Sequence, residues 1–461
     1  MKKTIVAVLF ISVLLPNYSS VRAAAITTLS GGASLRGNYD VTKRADDTTE
    51  DWRTYANIFL NLTHSRQAEK GGLSLRYATN YTYELKDGTS EWSDQRFNLN
   101  GWRDLSNRLR FNLSDTFIMT NDLWGEWLSP TATGISDEQP GEDKENTTDD
   151  KADLGTPSFS EQIGQNKFWS NYFSTSLAYK YAKNGTGTLG YNNRILEYDD
   201  PGRDNYMYNE PWINLSYGFS PQWNTSLSYN YIDAQFDISK DFIIHDAGFN
   251  LNYVHSVQDT LFGSIKYYEK NYESIEISYV PIGRSDYYAV RGNLGWTHNF
   301  SPQKTLSMSA GPEYLNFENE DPYTTAYFDL NYTSQFENGS WFIRANGGFD
   351  DRNFDGRDLR EGVSEYQRVS TGVRWQVAKN LSASLGANIR TDDFLENPLN
   401  SNEKTYNAFA NLSYRFSRWF YVSGRYWYIK NDAELNIDNY DEHRFFITLG
   451  ASKELYRWIH Q

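Results

Sequence analysis

Apolar and polar side chains alternate along most of the chain, in runs that are long for β-strands. In the run from Leu73 to Leu85, one row is built from Leu, Tyr and Thr, whereas the other holds Ser74, Arg76 and Asn80. A strict period of two indicates a strand with one apolar and one polar face. About 13 residues is longer than the roughly 5–6 of ordinary strands and exceeds the roughly 9–11 that cross a bilayer.

The same alternation recurs to the end of the chain, with no long helix-period segment between the runs. Clear examples are 213–219, 290–300, 369–377 and 445–451. The runs predict an all-β protein of about 20 antiparallel strands, a number within the known range of membrane barrels. Weak alternation at 95–102 and 260–268 leaves 18 strands as the other count.

The connections between runs fall into two classes that alternate. One class is tight, as in "AKNGT" at 182–186 and "ENGS" at 337–340; the other is longer and acidic, as in "DDRNFDGRDLREG" at 350–362. Short turns at one end and long loops at the other are typical of a single transmembrane β-barrel with periplasmic turns and extracellular loops. A soluble sandwich has no reason to keep this asymmetry.

The first residues resemble a targeting segment. Lys2 and Lys3 precede a short apolar run, and small residues around Ala23 offer a cleavage site. We therefore predict a cleaved signal peptide at 1–23 and the barrel at 24–461, an uncleaved anchor being the alternative. The expected location is the outer membrane of a Gram-negative cell, with membrane lipid and lipopolysaccharide as partners.

Composition removes several classes of function. The chain has no Cys, and its net charge of −15 disfavours a nucleic-acid partner. Its six His are scattered, and no motif for a metal, haem, nucleotide or catalytic serine is present. "GFDDRNFDGRD" at 348–358 lacks the spacing of a calcium loop. We predict no enzyme, no cofactor and no metal site.

One connection, 119–167, is much longer than the others and strongly acidic. A loop of this length is often functional. We predict that it caps the mouth or constricts the lumen; a solvated acidic loop is the alternative. The candidate gating residues are Asp137, Glu138, Glu142, Asp143, Asp149 and Asp150.

The polar rows are rich in Asn, Ser and Thr and also carry many arginines. Guanidinium groups concentrate anions and bind carboxylates as a fork, so they suit a path for an anionic solute. Inward aromatic rings such as Phe59, Tyr172 and Trp427 suit stacking on sugars. The other interpretation is that the arginines pair with acids and stiffen the wall. The candidates are Arg76, Arg108, Arg110, Arg194, Arg291, Arg344, Arg374, Arg390, Arg415 and Arg425.

The C-terminal half resembles a family of outer-membrane β-barrel porins associated with exopolysaccharide secretion. The resemblance is carried by "YNAFANLSYRFSRWFYVSGRYWYIKND" at 406–432 and "YDEHRFFITLGASKEL" at 440–455. The tail "LYRWIHQ" departs from the terminal Phe of many such barrels. The resemblance implies passage or export of polysaccharide, together with periplasmic secretion components.

The sequence thus favours a channel that passes or exports an anionic solute such as an acidic exopolysaccharide. The first alternative is a structural or adhesive surface barrel that acts through its acidic loops without an open channel. A sheath around an electron-transfer partner is a weaker alternative, since no haem motif supports it. The sequence specifies no oligomeric state.

Overall fold

The computed structural model describes residues 25–44, 48–86, 88–120, 167–201, 204–238, 240–273, 285–318, 320–352, 362–395, 402–434 and 439–460. These residues form twenty strands in one sheet. The strands are β1 Ala25–Arg44, β2 Thr48–Ala68, β3 Gly71–Glu84, β4 Ser90–Asp104, β5 Leu109–Thr120, β6 Phe168–Ala182, β7 Gly185–Tyr198, β8 Tyr206–Gly218, β9 Trp223–Phe236, β10 Phe242–Val254, β11 Asp259–Tyr272, β12 Tyr287–Ser301, β13 Lys304–Phe317, β14 Tyr323–Phe336, β15 Gly339–Arg352, β16 Gly362–Ala378, β17 Leu381–Phe394, β18 Asn402–Arg415, β19 Phe420–Ala433 and β20 Tyr440–His460.

Each strand pairs antiparallel with the next along the chain, and β20 pairs with β1 to close the barrel. Closure leaves the sheet with no lateral edge strand, which a wall in lipid requires. The predicted count of 20 is confirmed. The weak segments 95–102 and 260–268 are parts of β4 and β11, so the count of 18 is excluded.

The two ends of the barrel differ as the sequence predicts. Tight turns such as 69–70, 183–184 and 302–303 connect even-numbered strands to odd-numbered ones, whereas the opposite end carries 121–167 and 273–286. We call these the turn end and the loop end. No helix in the described part of the chain is long and apolar enough to span a membrane.

The wall has an apolar outer face. Large side chains on the outward rows are exposed in the isolated chain, for example Leu189 at 59% and Leu294 at 77%. Aromatic rings on the same face gather near both ends, as in the pair Tyr181–Tyr217 at the turn end and the pair Tyr267–Tyr288 at the loop end. A band of apolar side chains between two aromatic girdles matches the surface that a barrel presents to lipid.

Candidate functional site: the lumen

The middle of the inner wall is covered by neutral polar side chains. Because inward positions on neighbouring strands lie directly opposite each other, these short side chains hydrogen-bond across the ladders. Ser174 Oγ donates to Asn192 Oδ1 at 2.8 Å, and Thr82 Oγ1 donates to Asn57 Oδ1 at 2.8 Å. Ser114 Oγ donates to Asn100 Oδ1 at 2.9 Å. We call this layer the amide–hydroxyl belt; it gives the lumen a wall that water and polar solutes can wet.

Most of the predicted arginines lie on inward rows of the wall. Arg108 is the exception, because it lies in the turn 105–108 and its side chain is exposed. Arg110 is inward at the turn end, where it donates two hydrogen bonds to Asp104 and stacks on Trp102 at 4.4 Å. The other inward arginines are Arg76, Arg194, Arg291, Arg344, Arg374, Arg390, Arg415 and Arg425.

Two of these arginines are buried in ion pairs. Arg291 donates from Nε and Nη2 to Glu313 Oε1 at 2.9 and 2.6 Å, and its guanidinium lies 4.0 Å from the centroid of Tyr327. Arg390 contacts the carboxylates of both Asp350 and Asp392. At these two positions the guanidinium groups brace the wall through partners of opposite charge.

A different arrangement occurs nearer the turn end of β15–β19. Here inward aromatic rings lie flat against glycines directly opposite on the next strand: Phe342 on Gly372, Phe409 on Gly386 and Tyr421 on Gly450. With no Cβ beneath it, each ring rests on backbone and turns its other face toward the lumen. Sequence reasoning missed these seats, because an aromatic residue and its glycine are identified as opposite only once the register is known.

Arginines border these rings. The Arg344 guanidinium lies 5.1 Å from the Phe342 centroid, and Arg374 is the next inward residue after Gly372 on β16. Arg415 is directly opposite Tyr421. We call Phe342, Arg344, Arg374, Phe409, Arg415 and Tyr421 the aromatic–arginine strip. Arg344 and Arg415 thus each lie beside an inward aromatic ring.

At the loop end, the wall opens between β14 and β15, while the upper part of β16 stays paired with β17 as far as the pair Ser364–Phe394. The β14–β15 ladder ends at the pair Phe328–Gly347, whereas β15 and β16 stay paired as far as Arg352–Gly362. Residues Tyr323–Tyr327 of β14 still pair with β13, but the β14–β15 ladder does not extend to them. We call Gly348–Asp351 together with Val363–Tyr366 the inward-folded end.

Side chains of distant strands hold the inward-folded end. Asp351 Oδ2 accepts from Lys270 Nζ of β11 at 2.8 Å and from the Tyr287 hydroxyl of β12 at 2.5 Å. Glu313 Oε2 of β13 accepts from the backbone N–H of Phe349 at 2.9 Å. The strands β11 and β15 are four spacings apart, about 19 Å along the wall, so the Lys270–Asp351 contact places this end inside the lumen.

The loop-end layer of the lumen has two unlike halves. On β7–β13 the inward side chains are largely apolar and buried, and we call them the apolar arc: Leu196, Tyr198, Tyr206, Tyr208, Ile232, Ala234, Phe242, Ile244, Tyr268, Tyr287, Ala289, Leu315 and Phe317. On β17, β18, β20, β1 and β2 many of them are charged. We call these the ionic arc: Arg390, Asp392, Glu403, Glu442, Arg444, Asp40, Asp51 and Arg53.

The candidate gating acids Asp137, Glu138, Glu142, Asp143, Asp149 and Asp150 lie outside the described residues. Among the described residues, no group of three or more His, Cys, Asp or Glu is arranged to hold a metal ion. The chemistry of the described lumen therefore comes from amides, hydroxyls, guanidinium groups, carboxylates and aromatic rings.

Comparison with solved structures finds barrels of similar extent and very different sequence. OccAB4 of Acinetobacter baumannii is 12% identical, with 96% of this chain and 100% of that chain covered and a TM-score of 0.39. OpdQ of Pseudomonas aeruginosa is 7% identical, with coverages of 94% and 98% and a TM-score of 0.43. No curated protein matches the chain.

The C-terminal strands also match a protein family. Residues 360–453, from β16 to β20, match the model of the family described as "Putative beta-barrel porin 2". This segment includes the hairpins on which the resemblance to barrel porins was based, so that resemblance is confirmed there. The match is to a porin family and not to an enzyme family. With its closed wall of twenty strands and its apolar outer face, the chain has the fold of a transmembrane β-barrel, and its residues 360–453 are similar to a porin family.

Proposed function

We propose that this barrel is a channel that passes or exports a polar, anionic solute, with an acidic exopolysaccharide as the favoured cargo. The observation that carries the proposal is the aromatic–arginine strip on β15–β19. There, Phe342, Phe409 and Tyr421 rest on glycines, and Arg344 and Arg415 lie beside them. A similar seat lies at the turn end of β3–β5, where Trp102 covers Gly72 and the Arg110 guanidinium lies 4.4 Å from its centroid.

The two side-chain types suit the two parts of an acidic sugar. A guanidinium group binds a carboxylate through two parallel N–H···O bonds. The face of an aromatic ring offers an apolar, electron-rich platform to a pyranose ring. The amide–hydroxyl belt supplies exchangeable donors and acceptors for sugar hydroxyls. Weak, repeated contacts of this kind let a solute enter and also leave, as conduction requires.

At the aromatic–arginine strip the local charge favours anions, although the chain as a whole is acidic and the loop end of the lumen holds buried carboxylates such as Glu313 and Glu403. The net charge is −15, yet most of the named lumen arginines lie on inward rows. A positive local potential inside a low-dielectric wall raises the concentration of anions there. We predict that the acidic loop residues 137–150 act at the mouth. They would then affect which solutes enter the lumen and would not contact solutes along the wall.

The test is ion selectivity in planar bilayers. Wild-type protein is expected to conduct and to prefer chloride to potassium in a salt gradient. The variant Arg344→Gln/Arg374→Gln/Arg415→Gln should lose most of that preference. Arg418→Gln is the matched control, because Arg418 lies in the turn 416–419 and not on an inward row. Cation preference in the wild type, or selectivity unchanged in the triple variant, would reject the anionic cargo.

The cargo class is tested by block of the current. An oligomer of uronic acids is expected to interrupt chloride current at lower concentration than a neutral oligomer of the same length. Replacing Phe342 and Phe409 by Leu should weaken both blocks, since stacking is lost while the arginines remain. Equal block by both oligomers would argue for a general polar pore. The proposed export also implies that residues 1–23 are absent from the mature chain, which intact-mass measurement checks.

A further inference from the structure

We propose that the gap between β14 and β15 is a seam that can close, and that its state sets the limiting size of the lumen. In the structure the seam is open and the inward-folded end lies in the lumen. If the seam closes, Gly348–Asp351 extend the ladder with β14 and the lumen widens. The inference deepens the proposed function, because only its effect on conductance rests on that function.

The first argument is that the two sides of the seam are complementary. The β14–β15 ladder ends at the pair Phe328–Gly347 and does not extend to Tyr323–Tyr327 of β14 or to Gly348–Asp351 of β15. Extending the ladder in its existing register places Ala326 opposite Phe349 and Thr324 opposite Asp351. Two strand segments that continue an existing ladder in register can extend it when they approach.

The second argument comes from alternation along β15. In the row Ile343, Ala345, Gly347 and Phe349, the side chains fit a lipid-facing surface. In the structure, however, Phe349 is only 1% exposed and packs in the core cluster on the lumen side of β7–β13. The alternation therefore predicts the outward position that Phe349 would have with the seam closed, whereas its observed contacts are those of the open seam. A side chain that fits both the lipid-facing surface and the lumen core is expected in a strand segment that can occupy both places.

The third argument is that specific contacts hold the open seam. Lys270 Nζ lies 2.8 Å from Asp351 Oδ2, and the two side chains are 0% and 4% exposed. Lys270 also lies 4.1 Å from the Phe242 centroid. A buried charge of this kind is stable only while its partner stays in place. The pair therefore acts as a latch between β11 and the inward-folded end.

A hinge is present where the strand leaves the wall. Gly348 has a φ of 149°, which residues with a Cβ rarely adopt, and it follows directly on the last paired residue, Gly347. A Cβ built at Gly348 would lie 2.6 Å from Glu313 Oε2. The turn into the lumen therefore needs glycine at this position, whereas an extended strand in a closed seam does not.

The test uses the absence of native Cys. The pair Ala326→Cys/Phe349→Cys reports a closed seam, because a short bis-maleimide links the two thiols only when β14 and β15 are paired there. The pair Leu330→Cys/Ala345→Cys is the positive control, since these residues are opposite each other in the existing ladder. Cross-linking of the control pair also shows that each variant has formed a barrel.

Lys270→Met is expected to raise cross-linking of 326 with 349 severalfold and to raise single-channel conductance. Lys266→Met is the matched control: Lys266 is inward on the same strand, and its 3.7 Å contact is with Asp246 and not with the inward-folded end. If Lys270→Met does not assemble, Asp351→Asn breaks the same latch with a smaller change of shape. If residues 326 and 349 cross-link equally in the variants with and without the Lys270–Asp351 latch, the proposal of a closing seam is rejected.

The two readouts separate this inference from the proposed function. A protein that does not conduct, but whose cross-linking responds to Lys270→Met, rejects the channel and keeps the seam. If the protein conducts with the expected selectivity, but neither latch variant changes its cross-linking or its conductance, the proposed channel stands and the seam is rejected.

Discussion

The apolar arc and the ionic arc lie at the same end of the lumen, on the same face of one sheet, and are built in opposite ways. The apolar arc packs Phe242, Leu315 and Phe317 as the core of a soluble protein does. The ionic arc holds charges such as Arg390 and Arg444, whose nearest partners are carboxylates. The difference shows that the inner wall of this barrel is not uniformly a polar lining.

The difference has a structural consequence. Burying apolar side chains stabilises only where another surface covers them. The inward-folded end supplies that cover, because Phe349 and Val363 belong to the same cluster as the apolar arc. On the ionic side, Asp350 of the same segment instead meets Arg390. The segment therefore lies between the two arcs, with an apolar contact on one side and an ionic contact on the other.

The largest expected effect comes from removing a charge inside the apolar arc. Arg291→Met removes the guanidinium partner of Glu313, a carboxylate that is 0% exposed and keeps the hydrogen bond from the Phe349 N–H. Deleting one partner of a buried pair costs about 3–5 kcal/mol, because the remaining charge is uncompensated. Urea unfolding of the detergent-folded barrel measures the loss. A loss below about 1 kcal/mol, the range of an exposed pair, would show that water reaches Glu313 and that the arc is not dry.

Arg444→Met in the ionic arc is expected to cost less, about 1–3 kcal/mol. Its partner Glu442 also accepts from the Thr42 hydroxyl at 3.4 Å, and other charges lie nearby on β1 and β2. A carboxylate with several polar neighbours is less dependent on one of them. The same urea measurement compares the two variants. Equal losses for Arg291→Met and Arg444→Met would erase the distinction between the arcs.

The sequence alone predicts the wall well, for a physical reason. Whether a strand residue faces inward or outward follows from its odd or even position in the alternation. Contact with lipid favours apolar side chains along the whole outward row. A row such as Leu381, Leu385 and Ile389 can therefore be assigned to the lipid-facing side without knowing which strands lie beside it. The tight turns and the closing strand follow from the same alternation, and the count of 20 is confirmed.

The candidate site is less predictable, because it depends on which residues meet across strands. Parity placed Arg291 and Arg390 inward but could not reveal that Glu313 and Asp392 would be their partners. It placed Phe349 in an outward row, although the chain turns inward at Gly348. The opposition of Phe409 and Gly386 needs the register of β17 and β18. These features are products of pairing rather than of any one strand's pattern.

The smallest effect is expected at the ring seats, which belong to neither arc. In Gly386→Ala the new methyl group overlaps the ring of Phe409 and must displace it toward the lumen. Forcing one methyl group into a filled position typically costs about 1–3 kcal/mol. Urea unfolding measures the cost, and a shift in the concentration of uronate oligomer that blocks the current reports the displaced ring.

Gly424→Ala is the matched control, because nothing lies within 4 Å of a Cβ built at that position. Its stability is expected to stay within about 0.5 kcal/mol of the wild type, as for most surface substitutions. If both glycine variants lose the same free energy of unfolding, the cost at position 386 reflects replacement of any strand glycine, and the ring of Phe409 does not depend on Gly386. If only Gly386→Ala loses stability and uronate block weakens with it, the bare backbone beneath the ring holds an aromatic platform in the position that the proposed cargo requires.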